Sequence, residues 1–125
     1  MLQRLQLDAT EDTPIVDFDA STGLLLITGR ALPEDANTFF APLQSWVEEY
    51  VATPADITVI DLHIDYFNSA ATRYIFNILM EFETLTESGK NVKIIWNFSK
   101  TDEMIAVKGE ELESMLDIQF EMRPF

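Results

Sequence analysis

The stretch Asp61-Leu62-His63-Ile64-Asp65-Tyr66-Phe67-Asn68-Ser69-Ala70-Ala71-Thr72-Arg73-Tyr74-Ile75-Phe76-Asn77-Ile78-Leu79-Met80 changes period halfway along. Its first half alternates apolar and polar side chains, the two-residue repeat of a strand. Its second half repeats apolar residues every three to four, the period of a helix. The change falls at Asn68-Ser69. Both residue types favour helix N-caps, because their side chains accept hydrogen bonds from backbone N–H groups that lack a helical partner. A hydroxyl is therefore expected at an exposed corner where a strand ends and a helix begins, near the positive end of the helix dipole.

The strand half extends back to Ile57. Its even positions Thr58, Ile60, Leu62, Ile64 and Tyr66 are mostly apolar, and its odd face turns polar at Asp61, His63 and Asp65. One sheet face is thus packed on helices and the other is at least partly open to water. The helix half runs from Ser69 to about Glu87, with Ala71, Ile75, Ile78, Leu79, Phe82 and Leu85 as its buried stripe. Phe76 and Met80 widen the apolar surface, Tyr74 lies beside the stripe, and Gly89 ends the helix.

Downstream, Asn91 to Phe98 is a strand with Val92, Ile94, Trp96 and Phe98 inward. Ser99 or Thr101 is placed to cap a helix over roughly Asp102 to Leu116. Gly109 weakens that helix by about 1 kcal/mol relative to alanine. Ile118, Phe120 and Met122 alternate in a last strand. Upstream, Phe39, Leu43, Trp46, Val47, Tyr50 and Val51 mark an amphipathic helix capped by Asp35 or Asn37. Pro42 is expected to kink that helix or to mark the start of its regular part. The adjacent Phe39 and Phe40 cannot both face inward squarely. Gly29-Arg30-Ala31-Leu32-Pro33 breaks the strand Leu24 to Thr28, which pairs with Ile15 to Phe18 through a short turn at Asp19 to Gly23. Leu5 to Leu7 forms a short edge strand. Strand-helix-strand units from Ile57 onward imply parallel neighbours with right-handed crossovers. The expected architecture is one α/β domain over residues 1–125. It is a mixed sheet of five to six strands with three helices mainly on one face.

Composition narrows the function classes. The 125 residues carry 22 Asp and Glu against 8 Lys and Arg, a net charge of −14. That balance disfavours nucleic acid and anionic lipid and favours a protein partner with a basic surface. The absence of cysteine excludes disulfides, thiol catalysis and thiolate zinc sites. No leader-like apolar core opens the chain, and no apolar run approaches the roughly 20 residues of a membrane span. A cytoplasmic protein without a cofactor is expected.

Three constellations are candidates for chemistry. Asp61, His63 and Asp65 share one face of a strand, but successive members stand about 7 Å apart. At that spacing a solvated sheet face is the stronger reading than a metal-dependent enzyme. Ser69 as a hydrolytic nucleophile lacks a base, since His63 lies six residues upstream, roughly 20 Å in extended chain. No Gly-x-Ser-x-Gly elbow or Gly-rich phosphate loop is present. Ser69 as a phosphate acceptor has a physical rationale. A phosphate at a helix N-terminus gains N–H and dipole interactions, and it repels a partner packed on the same corner.

The chain also resembles a known family along nearly its whole length. The residues that carry the likeness are Thr13-Pro14 before a strand, Phe18-Asp19, and Gly29-Arg30-Ala31-Leu32-Pro33-Glu34-Asp35-Ala36. Further matches are Phe39-Phe40-Ala41-Pro42-Leu43 with Trp46 and Tyr50, then Tyr66-Phe67-Asn68-Ser69, Gly89-Lys90-Asn91-Val92 and Trp96. This ordered set resembles the SiaC family of bacterial regulatory phosphoproteins, whose fold is related to the STAS domains of anti-sigma-factor antagonists. The resemblance implies a non-enzymatic regulator. In that family a Ser or Thr after Tyr-x-Asn is phosphorylated by a dedicated kinase and dephosphorylated by a phosphatase. The resemblance further implies that the unphosphorylated form binds and activates a diguanylate cyclase, raising cyclic di-GMP and promoting aggregation or biofilm. Ser69 matches the acceptor, and the hydroxyls that often follow it are replaced by Ala70 and Ala71, leaving Thr72 as second choice. Tyr66, Phe67, Asn68, Tyr74 and Phe76 are the expected partner contacts around it. The rival reading from the same fold is a STAS-type antagonist of an anti-sigma factor or a histidine-kinase-like protein.

Overall fold

The computed structural model describes residues 2–125. Ten elements follow one another: β1 (Leu5–Leu7), β2 (Ile15–Asp19), β3 (Leu24–Ala31), α1 (Ala36–Ala52), β4 (Ile57–Phe67), α2 (Ser69–Glu81), α3 (Glu83–Glu87), β5 (Asn91–Phe98), α4 (Glu103–Met115) and β6 (Gln119–Pro124). The six strands form a single sheet in chain order. β1, β2 and β3 pair antiparallel, and β3 through β6 pair parallel. This is the mixed α/β sheet expected from the sequence.

One sheet face carries the core. Val16 and Phe18 of β2, Leu25 and Ile27 of β3, Ile60, Leu62 and Ile64 of β4, and Val92, Ile94 and Trp96 of β5 are all buried with the inward stripes of the helices. On the other face Asp61 and His63 are half-exposed and Asp65 is exposed. The buried stripe expected for the second helix is buried in full. On α1 it is Phe40 that is fully buried, while Phe39 is half-buried and meets it edge-on at 4.9 Å between ring centroids. The Tyr50 hydroxyl reaches the buried Thr58 hydroxyl at 2.7 Å, so neither polar group is stranded in the core.

Local structure departs from the sequence reading in four places. The second helix is interrupted at Phe82, which ends α2 and precedes the five-residue α3. α4 is capped by Asp102, not by Ser99 or Thr101; its carboxylate accepts the Ile105 N–H at 3.1 Å. α1 begins at Ala36 behind an Asp35 cap, so Pro42 lies within the helix and does not mark its start. The hydrogen bonds from Thr38 hold the Asp35 carboxyl below its ordinary range.

The fourth departure shapes the site. Gly29 to Ala31 does not break β3; the strand continues through a bulge. Gly29 pairs with Ile64 and Arg30 with Tyr66, which leaves Asp65 of β4 without an opposite residue. One extra residue reverses the side-chain alternation beyond it. Tyr66, expected inward, turns out and is 60% exposed, with the Arg30 guanidinium 5.2 Å over its ring. Phe67 turns in and packs edge-on against Trp96 at 6.0 Å. Gly29 has a φ of 128°, a conformation that L side chains rarely adopt, and this lets β3 follow the bulge.

Candidate functional site

At the carboxyl end of β4 a cavity of about 320 Å³ opens between the starts of α2 and α4. Its walls are Asp65, Tyr66 and Phe67 of β4, Asn68, Ser69 and Thr72 at the head of α2, and Asp102, Met104, Ile105 and Lys108 at the head of α4. Ligand-facing crevices of open α/β sheets lie at this end of the strands. Two helix N-termini therefore converge on one cavity, each bringing a partial positive charge and unpaired N–H groups.

Asn68 is the cap of α2. Its Oδ1 accepts the Ala71 N–H at 2.8 Å, and its backbone carbonyl accepts the Thr72 N–H at 3.0 Å. Ser69 is the first helical residue and is exposed. Among the described residues its hydroxyl makes no hydrogen bond. The Thr72 hydroxyl, by contrast, donates to the Asn68 carbonyl at 3.1 Å and is half-buried. Of the two hydroxyls, Ser69 is the one open to an approaching group. Replacing Asn68 with Ala removes the cap and is expected to lower stability by about 1 kcal/mol, read as a fall in the urea midpoint.

The expected contacts divide. Tyr66, Phe67 and Asn68 line the cavity with Ser69. Tyr74 does not: it stacks on Phe40 at 5.3 Å, and its hydroxyl donates to Asn37 at 3.3 Å, on the α1 side of α2. Phe76 lies one helical turn beyond Thr72, half-buried against the core and outside the cavity. The far wall went unread. Asp102, Met104, Ile105 and Lys108 come from a helix 33 or more positions along the chain, which only the topology brings opposite Ser69. One signal was legible: Met104 and Val107 fall off the inward stripe of α4 made by Ile105, Gly109 and Leu112.

The carboxylate–imidazole trio does not converge on one point: Asp61 is engaged apart from the His63–Asp65 pair. Asp61 accepts a hydrogen bond from the Asn97 side chain at 2.6 Å. His63 packs against Phe125 at 4.8 Å and sits 3.6 Å from Asp65. Among the described residues no group of three acidic, His or Cys side chains is arranged to hold a metal ion. Nor is any helix among them long and apolar enough to cross a membrane.

A model of the SiaC family regulatory phosphoproteins matches residues 7–125. An uncharacterized protein of Pseudomonas aeruginosa strain UCBPP-PA14 is 26% identical over 116 residues, covering 93% of this chain and 92% of its own. A chain in the crystal structure of the diguanylate cyclase SiaD in complex with its activator SiaC, from Pseudomonas aeruginosa, matches with a TM-score of 0.90 at 24% identity, covering 97% of this chain and 99% of that one. SiaC of Pseudomonas aeruginosa matches equally, at 0.90 and 24%, over 98% and 99%. The likeness to these structures is one of fold. With the family model spanning nearly the whole sequence, the chain belongs to the SiaC family of regulatory phosphoproteins.

Proposed function

We propose that this protein is a non-enzymatic cytoplasmic adaptor that binds and activates a diguanylate cyclase, and that phosphorylation of Ser69 releases the partner. A Ser/Thr kinase and a phosphatase set the two states, and cyclic di-GMP output, with aggregation or biofilm, follows the unphosphorylated one. The observation that carries the reading is the exposed Ser69 hydroxyl at the head of α2, facing a cavity with mostly apolar walls. A phosphate there adds about −1.5 to −2 charges at pH 7 beside Asp65 and Asp102. The two helix N-termini stabilise it in water. A partner that fills the cavity must instead strip its solvent and face the carboxylates, so binding and phosphorylation oppose each other. The match to a SiaC that is the activator of SiaD supports the choice of a cyclase as partner. A hydrolytic role for Ser69 has little support, because His63 is directed to Phe125 and Asp65.

The test is intact-mass analysis after incubation with a Ser/Thr kinase purified from the protein's native host. Wild type and Thr72→Ala are expected to gain one phosphate and Ser69→Ala none. A phosphate that persists in Ser69→Ala would rule out Ser69 as the acceptor.

A further inference from the structure

The chain is strongly acidic, yet the corner around Ser69 holds cations that no carboxylate has taken up. Among the described residues Arg30, Arg73 and Lys100 make no ion pair, although acidic side chains outnumber basic ones by 22 to 8. Arg30 is next to the last residue of β3, Arg73 lies near the head of α2, and Lys100 follows β5. All three are thus at the carboxyl end of the parallel strands, where the Ser69 cavity opens. Lys108, on the cavity wall formed by α4, is paired only with Glu111, at 3.8 Å. A half-exposed pair of that length contributes little. The Lys108 ammonium stands 5.8 Å over the ring of Phe67, another wall of the cavity. The two carboxylates of the cavity are engaged elsewhere: Asp102 accepts the Ile105 N–H, and Asp65 faces His63 at 3.6 Å.

Helix geometry sets Arg73 beside Ser69. Residues four apart are neighbours on a helix surface, with Cβ atoms about 5–6 Å apart. Ser69 opens α2, and Arg73 is exposed one turn later. An anion on the N-terminal side of a cation at this spacing is the favoured order. Thr72 has no such neighbour, because Arg73 follows it by one position, about 100° around the helix. A phosphoryl group on Ser69 therefore has Arg73 next to it on α2 and Lys108 across the cavity on α4. The guanidinium fork suits two phosphate oxygens, and the ammonium acts on a third as a point charge.

We propose that phosphorylated Ser69 is clamped by this chain's own Arg73 and Lys108. Lys108 gives up Glu111 and the Phe67 face, so the phosphate ties the head of α2 to the head of α4 and closes the mouth of the cavity between them. The clamp rests on the reading of Ser69 as the phosphate acceptor, and it names the residues that hold the phosphorylated state. It gives the switch a second consequence: the corner is shut as well as charged.

The experiment uses the full chain with phosphoserine installed at position 69 by codon suppression, so it needs no kinase. Phosphorus NMR follows the second ionisation of the phosphate, near pH 6, in wild type, Arg73→Gln, Lys108→Gln and Lys90→Gln. Lys90 pairs with Asp56 ahead of β4, at the opposite end of the strands, so its variant controls for net charge alone. All of these positions are exposed or half-buried. The charged and titratable groups around the phosphate are Asp65 and Tyr66 of β4, Arg30 of β3 over that Tyr66 ring, Asp102 and Lys108 of α4, and Arg73 of α2. Only the two clamp cations change, so the difference between variants reports them. Each clamp variant is expected to raise the midpoint by about half a pH unit, and Lys90→Gln to leave it in place. Arg73→Lys and Lys108→Arg keep the charge and are expected to restore most of the wild-type midpoint. Amide exchange at the head of α4 is expected to slow severalfold on phosphorylation of wild type, and not of Lys108→Gln. Equal midpoints in wild type and both clamp variants overturn the clamp while Ser69 stands as acceptor. Exchange in α4 that phosphorylation leaves unchanged overturns the bridge between the helices. A native kinase that places its phosphate elsewhere, seen by mass analysis, overturns the acceptor reading and this proposal with it.

Discussion

Gly109→Ala is expected to destabilise the protein by about 1 kcal/mol, and Gly109→Leu by about 3 kcal/mol. Helix propensity alone gives the opposite sign, since either residue improves on glycine in a helix interior by roughly 1 kcal/mol. The packing decides otherwise. A Cβ on Gly109 would run into Cδ1 and Nε1 of Trp96 and stand 2.9 Å from the Met122 methyl. Met122 has a flexible end and can yield. The indole cannot: it is 1% exposed, it donates to the Ile105 carbonyl at 2.9 Å, and Phe67 packs edge-on against it. Pushing Trp96 away therefore disturbs Ile105 and Phe67, two walls of the Ser69 cavity. Urea midpoints of the two variants against wild type check the sign. Stabilisation by alanine would contradict the close α4–β5 contact at Trp96.

Ser69→Ala is expected to lock the protein in its partner-binding state. Kinase treatment should abolish cyclase activation by wild type and leave activation by Ser69→Ala intact. The substitution removes a hydroxyl that makes no hydrogen bond among the described residues, and it leaves the Asn68 cap in place. Stability should change by no more than the ±0.5 kcal/mol typical of surface positions. Ser69→Asp is expected to weaken activation only partly, because it supplies one charge where phosphate supplies nearly two. The readout is cyclic di-GMP formed per unit time with each variant, before and after kinase treatment.

The sequence carried the fold well because its periods are strong. β4 alternates without interruption from Thr58 to Ile64, α1 and α2 have sharp apolar stripes, and each parallel strand is joined by a helix. Two kinds of information were absent from those periods. The first is the single-residue bulge at Asp65, whose cause is the pairing of β3 with β4 and the backbone freedom of Gly29. It put Tyr66 and Phe67 on the faces opposite to those the alternation implied. The second is proximity between distant segments. Asn68 and Ser69 announced themselves as a helix head, but Asp102, Met104 and Lys108 became their neighbours only because β5 lies beside β4. Gly109 shows the same limit from the other side. In the sequence it is a weak point of a helix; in the fold it is the space in which Trp96 sits.

The account stands on one claim, that a phosphate on Ser69 and a partner on this corner exclude each other. The direct measurement is calorimetric titration of the cyclase with unphosphorylated chain and with chain fully phosphorylated at Ser69. A phosphate desolvated in an apolar cavity beside two carboxylates predicts a loss of about a hundredfold in affinity, close to 3 kcal/mol. Equal or tighter binding by the phosphorylated chain would contradict it.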